Sequence, residues 1–216
     1  MKTIKFTLAI ILLFSINKVF AQYTDDDGDM RTLFGSSNSI GGYGGLSVGY
    51  ADFKNFPSSM VGFRGMLVVG HNVAIGIGGN GFFSDFRYNS VYNKDAYIAG
   101  GYGGLIVEPI LMPKFPVHIA LPILMGAGGV TYNINNYYDN SYNFNNDYTV
   151  DSKAFFILEP GVEIEFNVLK FFRFSVGAYY RLTNDIYLQD KDSSPITSSD
   201  FMRGLSTGVT FKFGKF

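Results

Sequence analysis

The sequence predicts an all-β chain, an eight-stranded antiparallel transmembrane β-barrel, and three observations carry that prediction. The first is residues 154–183, AFFILEPGVEIEFNVLKFFRFSVGAYYRLT. Phe156, Leu158, Pro160, Val162, Ile164 and Phe166 share one face, and Glu159, Glu163 and Glu165 share the other. After a short turn, Asn167 to Phe171, the residues Phe172, Phe174, Val176, Ala178, Tyr180 and Leu182 alternate with Arg173, Ser175, Gly177, Tyr179 and Arg181. Only a period of two, the period of a strand, sorts these residues into an apolar and a charged face. The second observation is composition. There are 26 glycines and no cysteine, aromatics reach 17% and charged residues only 16%, well below the usual quarter. The third is an alternation of short and long connections, set out below.

Two N-terminal segments stand apart from the fold. Lys2 and Lys5, the apolar run Phe6 to Ile16, and Val19-Phe20-Ala21 before Gln22 make residues 1–21 a secretory signal peptide. The run is shorter than the roughly 18 to 20 residues that span a bilayer as a helix. Residues 22–39 are a polar periplasmic leader with Asp25, Asp26, Asp27 and Asp29. The glycine spacing and the missing glutamate at the twelfth position exclude an EF-hand. Residues 40–216 are the barrel. Without cysteine there is no disulfide framework, lipid-anchored cysteine or thiolate metal site. A net charge of −1 argues against nucleic acid.

The first strand covers about 41–53, with Leu46, Val48 and Tyr50 on one face. The second covers about 60–70, with Val61, Phe63, Leu67 and Val69 outward and Arg64 inward. Gly70-His71-Asn72 is a turn. The third, about 73–87, sets Val73, Ile75 and Ile77 against Ala74, Gly76, Gly78 and Asn80. The fourth, about 96–109, sets Leu105, Val107 and Pro109 against Glu108. A proline-flanked turn leads to the fifth, about 117–132, with Ile119, Leu121, Ile123 and Met125 on one face. The sixth and seventh are the hairpin described first. The eighth, about 200–213, sets Leu205, Val209, Phe211 and Phe213 against Ser206, Gly208, Thr210 and Lys212. The second, fourth and sixth connections are short. The third, fifth and seventh are long and polar, and the first breaks the trend. Outer-membrane barrels show this asymmetry between periplasmic turns and outside loops.

Alternation alone does not say which face is inside. The apolar faces carry almost no charge, and aromatics cluster near strand ends. Phe171, Phe172, Phe211 and Phe213 lie at one end, and Tyr50, Tyr97, Tyr132, Tyr180 and Tyr187 at the other, as two interfacial girdles. The apolar face is therefore the lipid face. Arg64, Arg173, Arg181 and Lys212 then point inward with Glu108, Glu159, Glu163 and Glu165. The signs balance, and an eight-stranded interior is only wide enough for side chains, so the expectation is a plug of paired charges without a channel. GGYGGL occurs at 41–46 and again at 100–105, and a Glu-Pro pair follows an apolar residue at both Glu108 and Glu159.

The run FFILEPGVEIEFNVLKFFRFSVGAYYRL, the GGYGG strand and the terminus GVTFKFGKF resemble small outer-membrane β-barrel proteins of Bacteroidota, similar in architecture to OmpX and the OmpA transmembrane domain. The resemblance covers most of residues 34–216. It implies fold and location rather than activity. One departure stands out. The usual terminal signal has Phe last and apolar residues at every second position before it, but those positions here are Gly214, Lys212 and Thr210. A bulge or turn at Gly214 is one way to restore the register.

No catalytic, metal or cofactor site is expected. His71 falls on a turn and His118 starts a strand at the same end, neither beside a recognisable Ser or Asp. The long loop 133–151 offers Tyr137, Tyr138, Tyr142 and Tyr148, with many Asn residues, as exterior binding candidates. The expected partners are the outer-membrane bilayer and, as an alternative, another outer-membrane protein. The functional expectation is a non-enzymatic envelope barrel or an accessory subunit. A narrow pore and a lipid-modifying enzyme follow in that order.

Overall fold

The computed structural model describes residues 40–54, 56–135, 148–190 and 194–216. The signal-peptide and leader readings, together with Tyr137, Tyr138 and Tyr142, lie outside the described residues. The strands are β1 (Ile40–Asp52), β2 (Pro57–Val69), β3 (Val73–Ser84), β4 (Arg87–Asn89), β5 (Lys94–Leu111), β6 (Val117–Ala120), β7 (Ile123–Ile134), β8 (Tyr148–Leu169), β9 (Phe172–Thr183) and β10 (Gly204–Lys215). Every pairing between them is antiparallel. The ring runs β3-β2-β1-β10-β9-β8, continues through β6 and β7 to β5, and closes by β5 pairing with β3. With β6 and β7 as one broken strand and β4 outside the ring, this is an eight-stranded barrel. Closure leaves no free edge around the ring itself, the condition a sheet must meet to stand in hydrocarbon.

The apolar sets face outward. Leu46, Val61, Phe63, Ile77, Leu105, Phe156, Val162 and Leu205 are all exposed. The charged residues that do face outward on the ring strands, Asp52, Asp95 and Lys215, stand at strand ends. On β5 the outward residues from Tyr97 to Leu111 carry no charge. At about 3.3 Å per residue that is roughly 46 Å of strand, more than a tilted strand needs to cross a band roughly 25 Å tall.

Besides shifted strand ends and the short β4, where the sequence reading extends the third strand to 87 and follows it with a polar loop, four details differ from the sequence expectation. The fifth strand is interrupted at Leu121-Pro122. Pro122 has no N–H to give the ladder, although its carbonyl still accepts from Gly161 N at 2.8 Å and Leu121 N donates to Pro109 O at 2.9 Å. The pairing register is the same on both sides of the break. Second, Tyr132 is buried and faces inward with Val130 and Ile134, so it joins no lipid-side girdle. Its even number shares the parity of the inward Leu124, opposite to Met125. Third, no bulge restores the terminal register. β10 pairs with β1 without a shift from Ser206 to Lys215, so Lys212 points inward and Phe211 and Phe213 outward. Phe216 packs half-buried on Tyr43, ring centroids 5.4 Å apart. Fourth, residues 200–203 belong to the β9–β10 connection rather than to the last strand. Phe201 and Met202 are fully buried there.

Candidate functional site

Among the described residues, the barrel interior is where the strands gather ionisable groups away from water, and it is built in layers. At the loop end the β9–β10 connection folds back and buries Ile186, Leu188, Phe201 and Met202 over Phe53 and Phe82. Toward the turn end, Val68, Ala74 and Ile110 are buried on β2, β3 and β5. Between these apolar layers lies the charge cluster.

Its cations come from one wall. Arg64 on β2 pairs in register with Gly45 on β1, Gly45 with Lys212 on β10, and Lys212 with Arg173 on β9. Glu108 arrives from β5, and Glu163 and Glu165 from β8. Arg64 bridges Glu108 at 2.9 Å and Glu163 at 2.8 Å. Lys212 Nζ meets Glu108 at 3.1 Å, Glu163 at 2.9 Å, and Glu165 as well. Arg173 reaches Glu165 at 3.4 Å and stacks 3.9 Å from the centre of the Phe216 ring. Three cations thus face three carboxylates, and Lys212 is 0% exposed. Burial in a low-dielectric interior makes such charges tolerable only when paired and hydrogen-bonded.

Tyrosines complete the hydrogen bonding. Tyr43 donates to Glu108 at 2.7 Å and Tyr102 to Glu159 at 2.8 Å. Tyr43 and Tyr102 are the tyrosines of the two GGYGGL segments, and their acceptors are the glutamates of the two Glu-Pro pairs. The duplicated sequence is therefore one local device used twice: small residues around an inward phenol that serves a carboxylate on another strand. Tyr179 donates to Glu163 at 2.6 Å and Ser175 to the same carboxylate at 3.0 Å. Glycines make the room. A Cβ on Gly161 would come within 2.3 Å of the Tyr179 ring, one on Gly177 within 2.6 Å of its hydroxyl, and one on Gly45 within 2.9 Å of Arg64 Cγ.

The structure brings Arg64, Glu108, Glu163, Glu165, Arg173 and Lys212 together and leaves Glu159 and Arg181 apart. Those two are nearer the loop end, with Glu159 opposite Leu124 and Arg181 opposite Gly204. Glu159 forms no ion pair among the described residues and accepts only from Tyr102 and, at 3.4 Å, Ser206. Arg181 donates from Nε to Met202 O at 3.2 Å and lies 4.4 Å from the centre of the Phe53 ring. Its terminal nitrogens have no hydrogen-bond partner among the described residues. Of the eight inward charges, six meet in one ion-paired cluster and two lie outside it. A cavity of about 60 Å³, room for a few waters, lies between, lined by Ser47, Asn80, Glu159, Tyr179, Ser206 and Thr210 among others.

Sequence reasoning left His118 out of this site. It is buried with Nε2 2.8 Å from Glu165, and Nδ1 has no partner among the described residues. The signal was available, since β6 pairs His118 directly with Glu165 on β8. The carboxylates of Glu108, Glu163 and Glu165 lie within 4.8 Å of one another, close enough to hold a cation. The ammonium of Lys212 already stands among them, so the chain supplies its own cation and the residues do not fit a metal. Outside the barrel core, Tyr148 opens β8 half-buried, its ring 6.2 Å from that of Tyr92.

No protein-family model matches the sequence, and no curated protein matches it. Solved structures do. The major outer-membrane protein of Thermus thermophilus aligns over 80% of this chain and 99% of its own, at 12% identity and a TM-score of 0.50. Neisserial surface protein A covers 82% and 96% at 8% identity and a TM-score of 0.47. The N-terminal barrel domain of Pseudomonas aeruginosa OprF covers 81% and 96% at 10% identity and a TM-score of 0.40. At these identities the likeness concerns fold, and the first of the three carries it: the chain has the architecture of an outer-membrane β-barrel.

Proposed function

We propose that the protein is an exported, non-enzymatic outer-membrane barrel, of the small Bacteroidota type built like OmpX and the OmpA transmembrane domain, whose packed interior makes it a structural element of the envelope rather than a conduit. Residues 1–21 direct export, residues 22–39 form the periplasmic leader, and the lipid bilayer is its first partner. The single observation that supports this most is the inverted arrangement of the closed ring. Large apolar side chains cover the outside while Arg64, Glu108, Glu163, Glu165 and Lys212 are paired inside. Water would penalise the first and favour releasing the second. Hydrocarbon outside and a dry interior suit both.

Apolar layers on both sides of the cluster support a closed interior against the narrow-pore reading. The burial of His118 and Glu165 supports a non-enzymatic role, because a general base needs access to a substrate. A second reading, an accessory subunit of an outer-membrane assembly, is favoured by one surface. Phe86, Tyr88 and Val91 are exposed on and beside the hairpin that β4 makes with the start of β5, beyond the ring. Membrane fractionation with gentle detergent extraction tests both. The main reading expects the mature chain in the outer-membrane fraction, extracted alone. A stoichiometric companion lost on changing Phe86, Tyr88 and Val91 to Ser would establish the subunit role, and recovery in the soluble fraction would sink the membrane reading.

A further inference from the structure

The two ends of the barrel differ in charge. At the loop end Asp52, Asp85, Asp95, Asp185 and Asp200 are interspersed with Lys54, Arg203 and other cations. At the turn end the described chain crosses three connections, 70–72, 112–116 and 170–171, and both ends of the ring, without one acidic residue. It places there Lys114, Lys170 and Lys215, all exposed. Each lysine precedes a phenylalanine: Lys114-Phe115, Lys170-Phe171 and Lys215-Phe216. Exposed apolar side chains flank the first two, Met112 and Phe115 on one turn and Leu169 and Phe171 on the next. Hydrogen bonds join the three places into one surface. Asn167 donates to Phe115 O and Pro116 O, each at 2.8 Å, and Gly214 N donates to Phe171 O at 2.9 Å.

From this surface we propose that the turn end is a binding site for anionic phospholipid headgroups. The lysine ammonium groups pair with headgroup phosphates, and Met112, Phe115, Leu169 and Phe171 sit in the acyl boundary beneath them. The proposal rests on the membrane reading above. Two features commit it to lipid. The patch continues the outward apolar belt, where Phe172 stacks 4.8 Å from Phe213 on the adjoining strand. Among the described residues its side-chain charge is of one sign, and none of the three lysines has an ion-pair partner there. Lysines beside apolar anchors extend their stems along the hydrocarbon and hold the charge at headgroup level. Basic clusters near a membrane surface are drawn to anionic lipid.

The test uses the full mature chain in phosphatidylcholine vesicles, with spin-labelled phosphatidylglycerol or phosphatidylcholine as the probe and the motionally restricted fraction as the readout. The expected result is about two- to fivefold selection of the anionic label at low salt, nearly abolished in 1 M NaCl, where screening extends to about 3 Å. Lys114→Gln with Lys170→Gln and Lys215→Gln is expected to bring the ratio close to one. The same positions changed to Arg should keep it, and Lys54→Gln with Arg203→Gln at the loop end should leave it unchanged. Equal restriction of both labels by the wild type, or a preference that survives the triple Gln variant, overturns the lipid site. A chain that restricts neither label and stays outside the vesicles overturns the membrane reading, and this proposal with it.

Discussion

Lys212 and Arg181 are both buried cations on inward faces, yet their surroundings give expectations of different size. Lys212 holds three carboxylates in place. Changing it to Met leaves those anions with less than their share of positive charge, so the loss should approach the roughly 3–5 kcal/mol of a broken buried pair. Adding Glu165→Gln should restore part of it, because one uncompensated charge is then gone. Among the described residues Arg181 has no carboxylate within ion-pair distance, and its guanidinium ends lack hydrogen-bond partners. Arg181→Met should cost clearly less than Lys212→Met, because it breaks no ion pair among the described residues and removes one hydrogen bond, one ring contact and only a longer-range attraction to Glu159. Urea midpoints of the folded barrel in lipid separate the two, and a Lys212→Met variant as stable as the wild type would contradict the cluster. From sequence, alternation showed that all these residues face inward. It did not show the heights at which they meet, because height depends on the stagger between strands, so it grouped Glu159 and Arg181 with the cluster and left His118, placed only at a strand start, out of it.

On the loop side, Asp200 supplies a pH dependence. Hydrogen bonds from Lys54 and then Ser198 hold its carboxyl below the ordinary value. A folded-state pKa below the unfolded one contributes stability above the unfolded pKa, and this is lost as pH falls through the folded value. Attachment of the β9–β10 connection should therefore persist through neutral pH and weaken only below about pH 4, the ordinary carboxyl range. Lys54→Ala should move the Asp200 titration, followed by carboxyl NMR, back up toward that range. A midpoint that does not move would remove Lys54 as the cause.

Elements show where a period-two reading holds and where it stops. It placed β1, β2, β3, β5, β8 and β9 and their faces, because each has one apolar and one small or charged side. It merged β6 and β7, since Pro122 keeps both the face parity and the register while removing one ladder donor. It missed the packing role of the β9–β10 connection, because a segment that contributes isolated side chains to an apolar layer has no period. Ile186, Leu188, Phe201 and Met202 are such side chains. Phe201→Ala should cost about 3–5 kcal/mol, as for other large-to-small changes at buried aromatics. It should also raise amide exchange across residues 184–190 and 194–203 while leaving β8 and β9 protected. Uniform loss of protection around the ring would mean that the connection and the barrel unfold as one unit.

For the whole molecule the question is whether anything passes through it. A conducting path needs polar, hydrated groups from end to end. Here the cavity beside Glu159 is lined by Met60, Ile106 and Leu124 as well as by polar groups and Arg64 of the cluster, while Phe53, Phe82, Phe201 and Met202 are buried nearer the loops and Val68 and Ile110 nearer the turns. The cluster and the apolar layers are independent obstacles, and this sharpens the test. If ion pairs alone closed the barrel, Glu163→Gln with Arg173→Gln would open it. With apolar layers on either side, that double variant should remain as silent as the wild type in planar bilayers, though less stable. Discrete current steps in the double variant would show that the apolar layers do not seal, and would transfer support to the pore. Silence there, with steps appearing only when Phe201→Ala is added, would place the seal in the β9–β10 connection and leave the charges the task of holding the strands together.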